Sequence, residues 1–273
     1  MRRNFLRRGA SLPLLLDLYP NAATAYSLRK LRTGQVNAIR VRESSGNTEA
    51  DIGFDVNGDL DTTALLAHCG ANDGFVTTWY DQSGNGSDAT QTSSSVQSQI
   101  VSSGSVILEN GKAAVQSVSS DSYTIDRISY SNLSIFSVSK NTTTNQNSNT
   151  ILSQLSGFIQ KSNQIPTKYP RFQVHDGSFK TAEYQVDVTG TQVLQVGITD
   201  NGTARIFINN DAGLTAAYGT LSNPLGDFKL LSYPTIINTS HIGTVQEVIL
   251  WDDNQISNRT EIESNINSYY SIY

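Results

Sequence analysis

The stretch Thr77-Thr78-Trp79-Tyr80-Asp81-Gln82-Ser83-Gly84-Asn85-Gly86-Ser87-Asp88-Ala89-Thr90-Gln91 runs from a β-prone segment straight into a cluster of turn-forming and amide residues. Trp79 and Tyr80 suit a pleated, half-buried surface. Gly84 and Gly86 permit positive φ, and Asp81, Gln82, Asn85 and Asp88 bring many hydrogen-bonding groups into one short turn. The reading is a strand that ends in a polar loop. Three uses fit such a loop: contact with a sugar, a Ca²⁺ ion held by Asp81, Asn85, Asp88 and backbone carbonyls, or a turn whose side chains cap their own backbone. Alternation along the strand sends Trp79 and Tyr80 to opposite faces, so one of them belongs to the core.

Outward from this stretch, short β-prone runs recur between polar or glycine-containing breaks. They fall at Ser105–Leu108, Ala113–Ser117, Ser134–Lys140, Thr150–Leu155, Arg171–Val174, Lys180–Val188, Gln192–Thr199, Thr203–Asn209, Phe228–Ser232 and Thr244–Trp251. That rhythm predicts a β-sandwich. Upstream, Ala22–Arg32 reads as a short helix or the start of a strand, and Ala38-Ile39-Arg40-Val41-Arg42 alternates apolar with basic, which gives a strand with a cationic face. Residues 43–59 are polar and turn-rich, and Leu60–His68 is a short helix with Asp61 as N-cap. At the C-terminus Asn258 and Glu261 fit an N-cap and N3 pair, and Ile262, Ile266 and Tyr269 or Tyr270 recur at helical spacing, so a final helix should pack one face on the sandwich edge. Asn141–Asn149 reads as a polar surface loop.

Only 16% of the 273 residues are charged, and no apolar run approaches the roughly 18 residues of a membrane helix. The single Cys69 excludes a disulfide-stapled scaffold. With one cysteine and three histidines (His68, His175 and His241), no zinc-type ligand spacing exists, and serine-nucleophile and phosphate-loop motifs are absent. Charge is uneven along the chain. Residues 1–42 hold nine Lys/Arg against the single acid Asp17, a balance of +8, so the net charge of -5 leaves -13 on the remainder. An acidic body repels phosphates, which leaves only the basic end to meet an acidic partner. Leu12 to Leu16 form an apolar run of five before Asp17, too short for a signal peptide's stretch of about 7–15. Residues 1–21 are therefore read as an anchoring arm, held to another protein through Arg2, Arg3, Arg7, Arg8, Leu14, Leu15 and Leu16, and residues 22–273 as one sandwich domain.

At Ala25–Leu31, Ile39–Arg42, Asp51–Phe54, Gly58–Asp61 and Trp79–Gly86 the chain resembles the catalytic domain of the fungal arabinofuranosidase B family. The same order of motifs is similar to one found in tailed-phage structural proteins. Thr244–Trp251, the following Asp252–Ser257 and the final helix are similar to the ending of concanavalin A-like and laminin-G-like sandwiches. These resemblances imply an all-β jelly-roll fold. The arabinofuranosidase resemblance also implies a retaining glycosidase, which needs two carboxyl groups about 5–5.5 Å apart. Its nucleophile glutamate is matched by the stretch Phe172–Gly177, where the nearest carboxylate is the shorter Asp176. Its acid/base aspartate is matched by Thr235–His241, which has no carboxylate, and the family's adjacent cysteine pair is missing. His175 and Asp176, as neighbours in a strand, face opposite ways.

The expectation is thus a non-catalytic virion component, a head-fibre, decoration or tail protein of a tailed phage. It would be a homo-oligomer without cofactor, anchored to capsid, portal or tail by its arm. Host glycan would be met by Trp79, Tyr80, Asp81, Gln82 and Asn85, an aromatic ring with amides for the hydroxyls. The alternative is a retaining glycoside hydrolase acting on surface polysaccharide.

Overall fold

The computed structural model describes residues 13–118, 120–143, 149–163, 167–222, 228–233 and 240–273. Two antiparallel layers enclose the main core. The front layer runs in the order Glu49–Gly53, Asn37–Glu43, Gly74–Trp79, Ala89–Thr90, Tyr123–Ile125, Phe228–Leu230, Asn149–Gln154, Phe158–Asn163, Arg171–His175, Phe179–Glu183. In the back layer Gly243–Trp251 is flanked on one side by Val115–Ser117 and Thr24–Ser27. On its other side follow Ser134–Asn141, Gln192–Asp200 and Thr203–Ile208. Strand Gln99–Ser102 pairs with Gly74–Trp79 and with Val115–Ser117, and so joins the two layers. The fold is a β-sandwich.

Alternation decides what each layer buries. In the front layer Ile39, Val41, Val76, Trp79, Tyr123, Phe228 and Leu230 point inward to the main core. The back layer is apolar on both faces. Phe136, Val138, Leu194, Val196, Ile198, Ile249 and Trp251 form a second core on its outer side. That explains why Gly243–Trp251 is buried along its whole length. The cover is two helices, α1 (Leu15–Leu18) and the C-terminal helix Arg259–Tyr270, which add Leu15, Leu16, Ile262, Ile266 and Tyr270. Each such buried side chain contributes roughly 1.5–3 kcal/mol.

This second core corrects three expectations. Leu15 and Leu16 are 0% and 6% exposed, spent on the chain's own packing and so removed from partner contact, while Leu14 is half-buried beside them. The described part of the expected arm therefore belongs to the sandwich, and Arg2, Arg3, Arg7, Arg8 and Leu12 lie outside the described residues. The final helix covers a sheet face, not the sandwich edge. Its capping pair does not form, because Asn258 has a helical backbone and turns its amide to Gln255 Oε1 at 2.8 Å.

Residues 43–59 hold the strand Glu49–Gly53, hidden from pattern reading because its face is polar. The helix Thr62–Cys69 starts as expected, with Asp61 Oδ1 accepting the Ala64 N–H at 2.9 Å. The basic residues of the early strands are absorbed by the fold. Arg40 pairs with Asp51 at 2.7 Å, and Arg42 donates to Gln97 and Asn47. Of the expected cationic face, Arg40 is thus ion-paired, while Arg42 keeps its charge among neutral amides.

Candidate functional site

The polar loop after Trp79 is consumed by structure. Trp79 is 0% exposed and packs near Tyr26 with ring centroids 6.3 Å apart. The Asp81 carboxylate accepts the N–H of Ala25 (2.8 Å), Ser83 (2.9 Å) and Ser87 (3.1 Å), and the Ser83 hydroxyl (2.6 Å). Gln82, also 0% exposed, accepts the Leu31 N–H at 2.8 Å and donates to the carbonyls of Ser27 and Arg29 at 2.9 and 3.0 Å. Asn85 is exposed, yet its amide donates to the carbonyls of Ala22 and Ala23, both at 3.0 Å. Gly84 has φ +97°, and a Cβ there would fall 1.8 Å from Arg32 Nη1, whose guanidinium donates to the Ser83 carbonyl. The loop is a clamp that fastens residues 22–32 to the front layer.

Four of the five residues expected to meet glycan are corrected on this ground. Trp79, Asp81 and Gln82 are buried, and Asn85 is turned onto backbone. The calcium reading of the loop loses its ligands too. Asp81 faces N–H and O–H donors, and Asp88 Oδ1 accepts the Asp81 N–H at 2.8 Å. Among the described residues no three His, Cys, Asp or Glu side chains converge.

Tyr80 is the exception, because alternation turns it outward. Strand register then places it beside a continuous polar row. Asp51 faces Arg40, Arg40 faces Thr78, Thr78 faces Thr90, Thr90 faces Thr124 and Thr124 faces Lys229. Residues directly opposite one another share a face, so these six side chains cross six strands in line, about 24 Å at the usual interstrand spacing. Asp51, Thr90 and Thr124 are exposed, and Arg40, Thr78 and Lys229 are half-buried.

The row is preorganised by its own contacts. Lys229 Nζ donates to Thr124 Oγ1 at 2.8 Å, and the Tyr80 hydroxyl donates to Asp51 Oδ1 at 2.7 Å. Burial, with the Asp51 charge and hydrogen bond adding to it, pushes the Tyr80 phenol up to about 12. The Arg40 guanidinium holds the Asp51 carboxyl below its ordinary range. Asp88, two residues before Thr90, has its carboxyl raised by burial and by the charges of Asp81 and Asp126, against the Asp81 N–H bond. The face therefore offers neutral hydroxyls, a fixed phenol, carboxyl acceptors and two cations. Sequence reading missed Thr78, Thr90, Thr124 and Lys229 as a group because only register brings positions so distant in sequence together.

Asp176 lies elsewhere, in the turn after strand Arg171–His175. Its carboxylate accepts the Gly219 N–H at 2.8 Å and lies 3.6 Å from Lys180 Nζ. The Gly219 hydrogen bond and the Lys180 charge outweigh burial and hold its pKa below the ordinary value. His175 turns to Ser222, 3.0 Å from Nδ1 to Oγ, and stacks edge-on with Phe179. The two neighbours do not share a site. Much of the segment matched to the acid/base aspartate, residues 235–239, lies outside the described residues.

Comparison of the whole fold finds similar sandwiches among solved structures. A mutant GH54 α-L-arabinofuranosidase soaked with 4-nitrophenyl α-L-arabinofuranoside superposes with a TM-score of 0.64 at 13% identity, over 90% of this chain and 62% of that one. An arabinofuranosidase complexed with arabinofuranosyl-α-1,2-xylobiose gives 0.61 at 14% identity, with the same coverage. The likeness is one of fold, and this chain spans under two thirds of the length of those proteins. No protein-family model matches the sequence, and no curated protein matches it.

Proposed function

We propose that the chain is a non-catalytic glycan-binding β-sandwich and that its binding face is the row Asp51, Arg40, Thr78, Thr90, Thr124 and Lys229 with Tyr80 at its side. The observation that carries the reading is the register itself, which aligns hydroxyl and charged groups across six neighbouring strands. Threonine hydroxyls both donate and accept, so a lane of them suits an extended chain of sugar hydroxyls. Tyr80 supplies an aromatic ring against a sugar's apolar face. A glycan array is the direct test. Wild type should capture polysaccharide, Tyr80→Ala should capture at least about tenfold less, and a blank array for wild type would sink the reading.

Hydrolysis is the second reading, favoured by the arabinofuranosidase fold likeness. Against it stands Asp176, whose carboxylate is taken up by the Gly219 N–H and the Lys180 ammonium. Turnover of an aryl arabinofuranoside that vanishes in Asp176→Asn would establish the enzyme and displace the binding-only account. The setting we propose is the surface of a tailed-phage particle, held through the basic residues Arg2, Arg3, Arg7 and Arg8. What supports it is the charge asymmetry of the sequence. Replacing those four arginines by serine should abolish incorporation into particles; undiminished incorporation would remove the anchoring role.

A further inference from the structure

The row does not stop at Lys229. Register carries it on through Ser153, Ile159 and Gln173 to Thr181, about 19 Å further at the usual interstrand spacing. Ser153 and Ile159 are buried, and the Ser153 hydroxyl donates to the Ser232 carbonyl at 2.7 Å, so the lane is covered in its middle. It surfaces again on the last two strands of the front layer, Arg171–His175 and Phe179–Glu183. Phe172, Val174 and Ala182 point into the main core, so alternation turns Gln173 and His175, with Thr181 and Phe179 opposite them, outward.

Each polar group of this patch keeps bonding capacity after its internal contacts are counted. Gln173 Nε2 donates to Thr181 Oγ1 at 2.8 Å, which spends one N–H of the amide. The Gln173 carbonyl oxygen, the second N–H and the Thr181 O–H have no partner among the described residues. The Gly177 N–H donates to His175 Nδ1 at 3.3 Å, so the neutral ring carries its proton on Nε2, and that N–H is open as well. Phe179 is 40% exposed, its ring fixed edge-on to His175 with centroids 5.0 Å apart. Charge is compensated on both flanks, where Arg171 pairs with Glu183 at 2.6 Å and Asp176 lies 3.6 Å from Lys180.

An exposed ring beside open donors and an open carbonyl acceptor matches what a sugar presents, an apolar face rimmed by hydroxyls. We propose that this patch is a second subsite of the same face, and that the ligand is a polysaccharide long enough to reach it from Thr124 and Lys229. The inference rests on the glycan reading of the row and adds the length of its ligand. Two subsites joined by one sugar chain gain through effective concentration, so short sugars should bind either one weakly.

Affinity electrophoresis of the full chain in gels cast with arabinan, xylan, mannan or dextran tests it, with arabinotriose, xylotriose, mannotriose or isomaltotriose as the matching competitor. At least one polymer should retard wild type. Phe179→Leu and Gln173→Ala should each weaken that retention at least about fivefold, whereas Phe179→Tyr, which keeps the ring, should hold it within about twofold. The trisaccharide should compete at least about tenfold less well than the free polymer at equal sugar concentration. Retention equal in wild type and both patch variants, with Thr90→Ala/Thr124→Ala weakened, would overturn the second subsite and leave the row standing. Retention lost in the patch variants alone would keep the patch and displace the row. A trisaccharide that competes as well as the polymer would overturn the polysaccharide, and no retention of wild type by any of the polymers would overturn both sites.

Discussion

Replacing Gln82 by alanine removes the centre of the clamp, and the cost follows from its three hydrogen bonds. The wild-type amide satisfies one buried N–H, at Leu31, and two carbonyls, at Ser27 and Arg29. Each bond is worth about 0.5–1.5 kcal/mol net, and buried groups left without partners raise the loss further. A destabilisation of about 3–5 kcal/mol is expected, a large share of the roughly 5–15 kcal/mol that holds a typical domain. Urea unfolding followed by tryptophan fluorescence reads it directly. With a slope of about 3 kcal/mol per molar, the midpoint should fall by about 1–1.7 M.

Gln82→Glu sharpens the test. Its carboxylate would still accept from Leu31 but would face two carbonyl oxygens, so its folded pKa is raised above the unfolded value near 4.3. The variant should therefore regain stability as pH falls, relative to wild type, and lose it again as pH rises. A loss below about 1 kcal/mol for Gln82→Ala, with Gln82→Glu insensitive to pH, would refute the clamp.

Breaking the Arg29–Glu247 pair with Glu247→Gln strands a guanidinium in a site where burial already opposes its charge, and should cost about 3–5 kcal/mol in the same urea assay. Leu15→Ala and Leu16→Ala should each cost about 2–5 kcal/mol; losses under 1 kcal/mol would return those leucines to an external anchor. His241 is buried, and desolvation lowers its pKa from 6.5 to about 4. Its folded pKa is depressed, so its contribution is complete above pH 6.5 and fades as pH falls toward 4, by about 3 kcal/mol in all. Urea midpoints measured between pH 7 and 4 should show that slope in wild type and a shallower one in His241→Gln.

The sandwich was legible because its buried strands announce themselves. Thr244–Trp251 turns wholly apolar where both of its faces are covered, and Thr203–Ile208 alternates at its start, before Phe207 enters the second core. The strand Glu49–Gly53 stayed hidden because only Ile52 of its five residues is buried. Leu15 and Leu16 misled for a physical reason: a short apolar run looks the same whether it docks on a partner or on its own chain. The Trp79–Asn85 loop misled in a related way, since Asp81 and Gln82 carry the same groups whether they bind a sugar or neighbouring backbone. Local composition cannot tell these apart; burial can. Tyr80 was marked and keeps its outward place beside the proposed face, whereas Thr90, Thr124 and Lys229 became visible only through register.

On the proposed reading, glycan recognition belongs to the strand row and not to the loop beside it. Affinity electrophoresis of wild type and Thr90→Ala/Thr124→Ala in gels cast with a polysaccharide captured on the array tests it most directly, because both threonines are exposed and their loss leaves the core intact. The account predicts retardation of wild type and a dissociation constant at least about tenfold weaker for the double variant, with the urea midpoint unchanged. Equal retardation of the two proteins would contradict it.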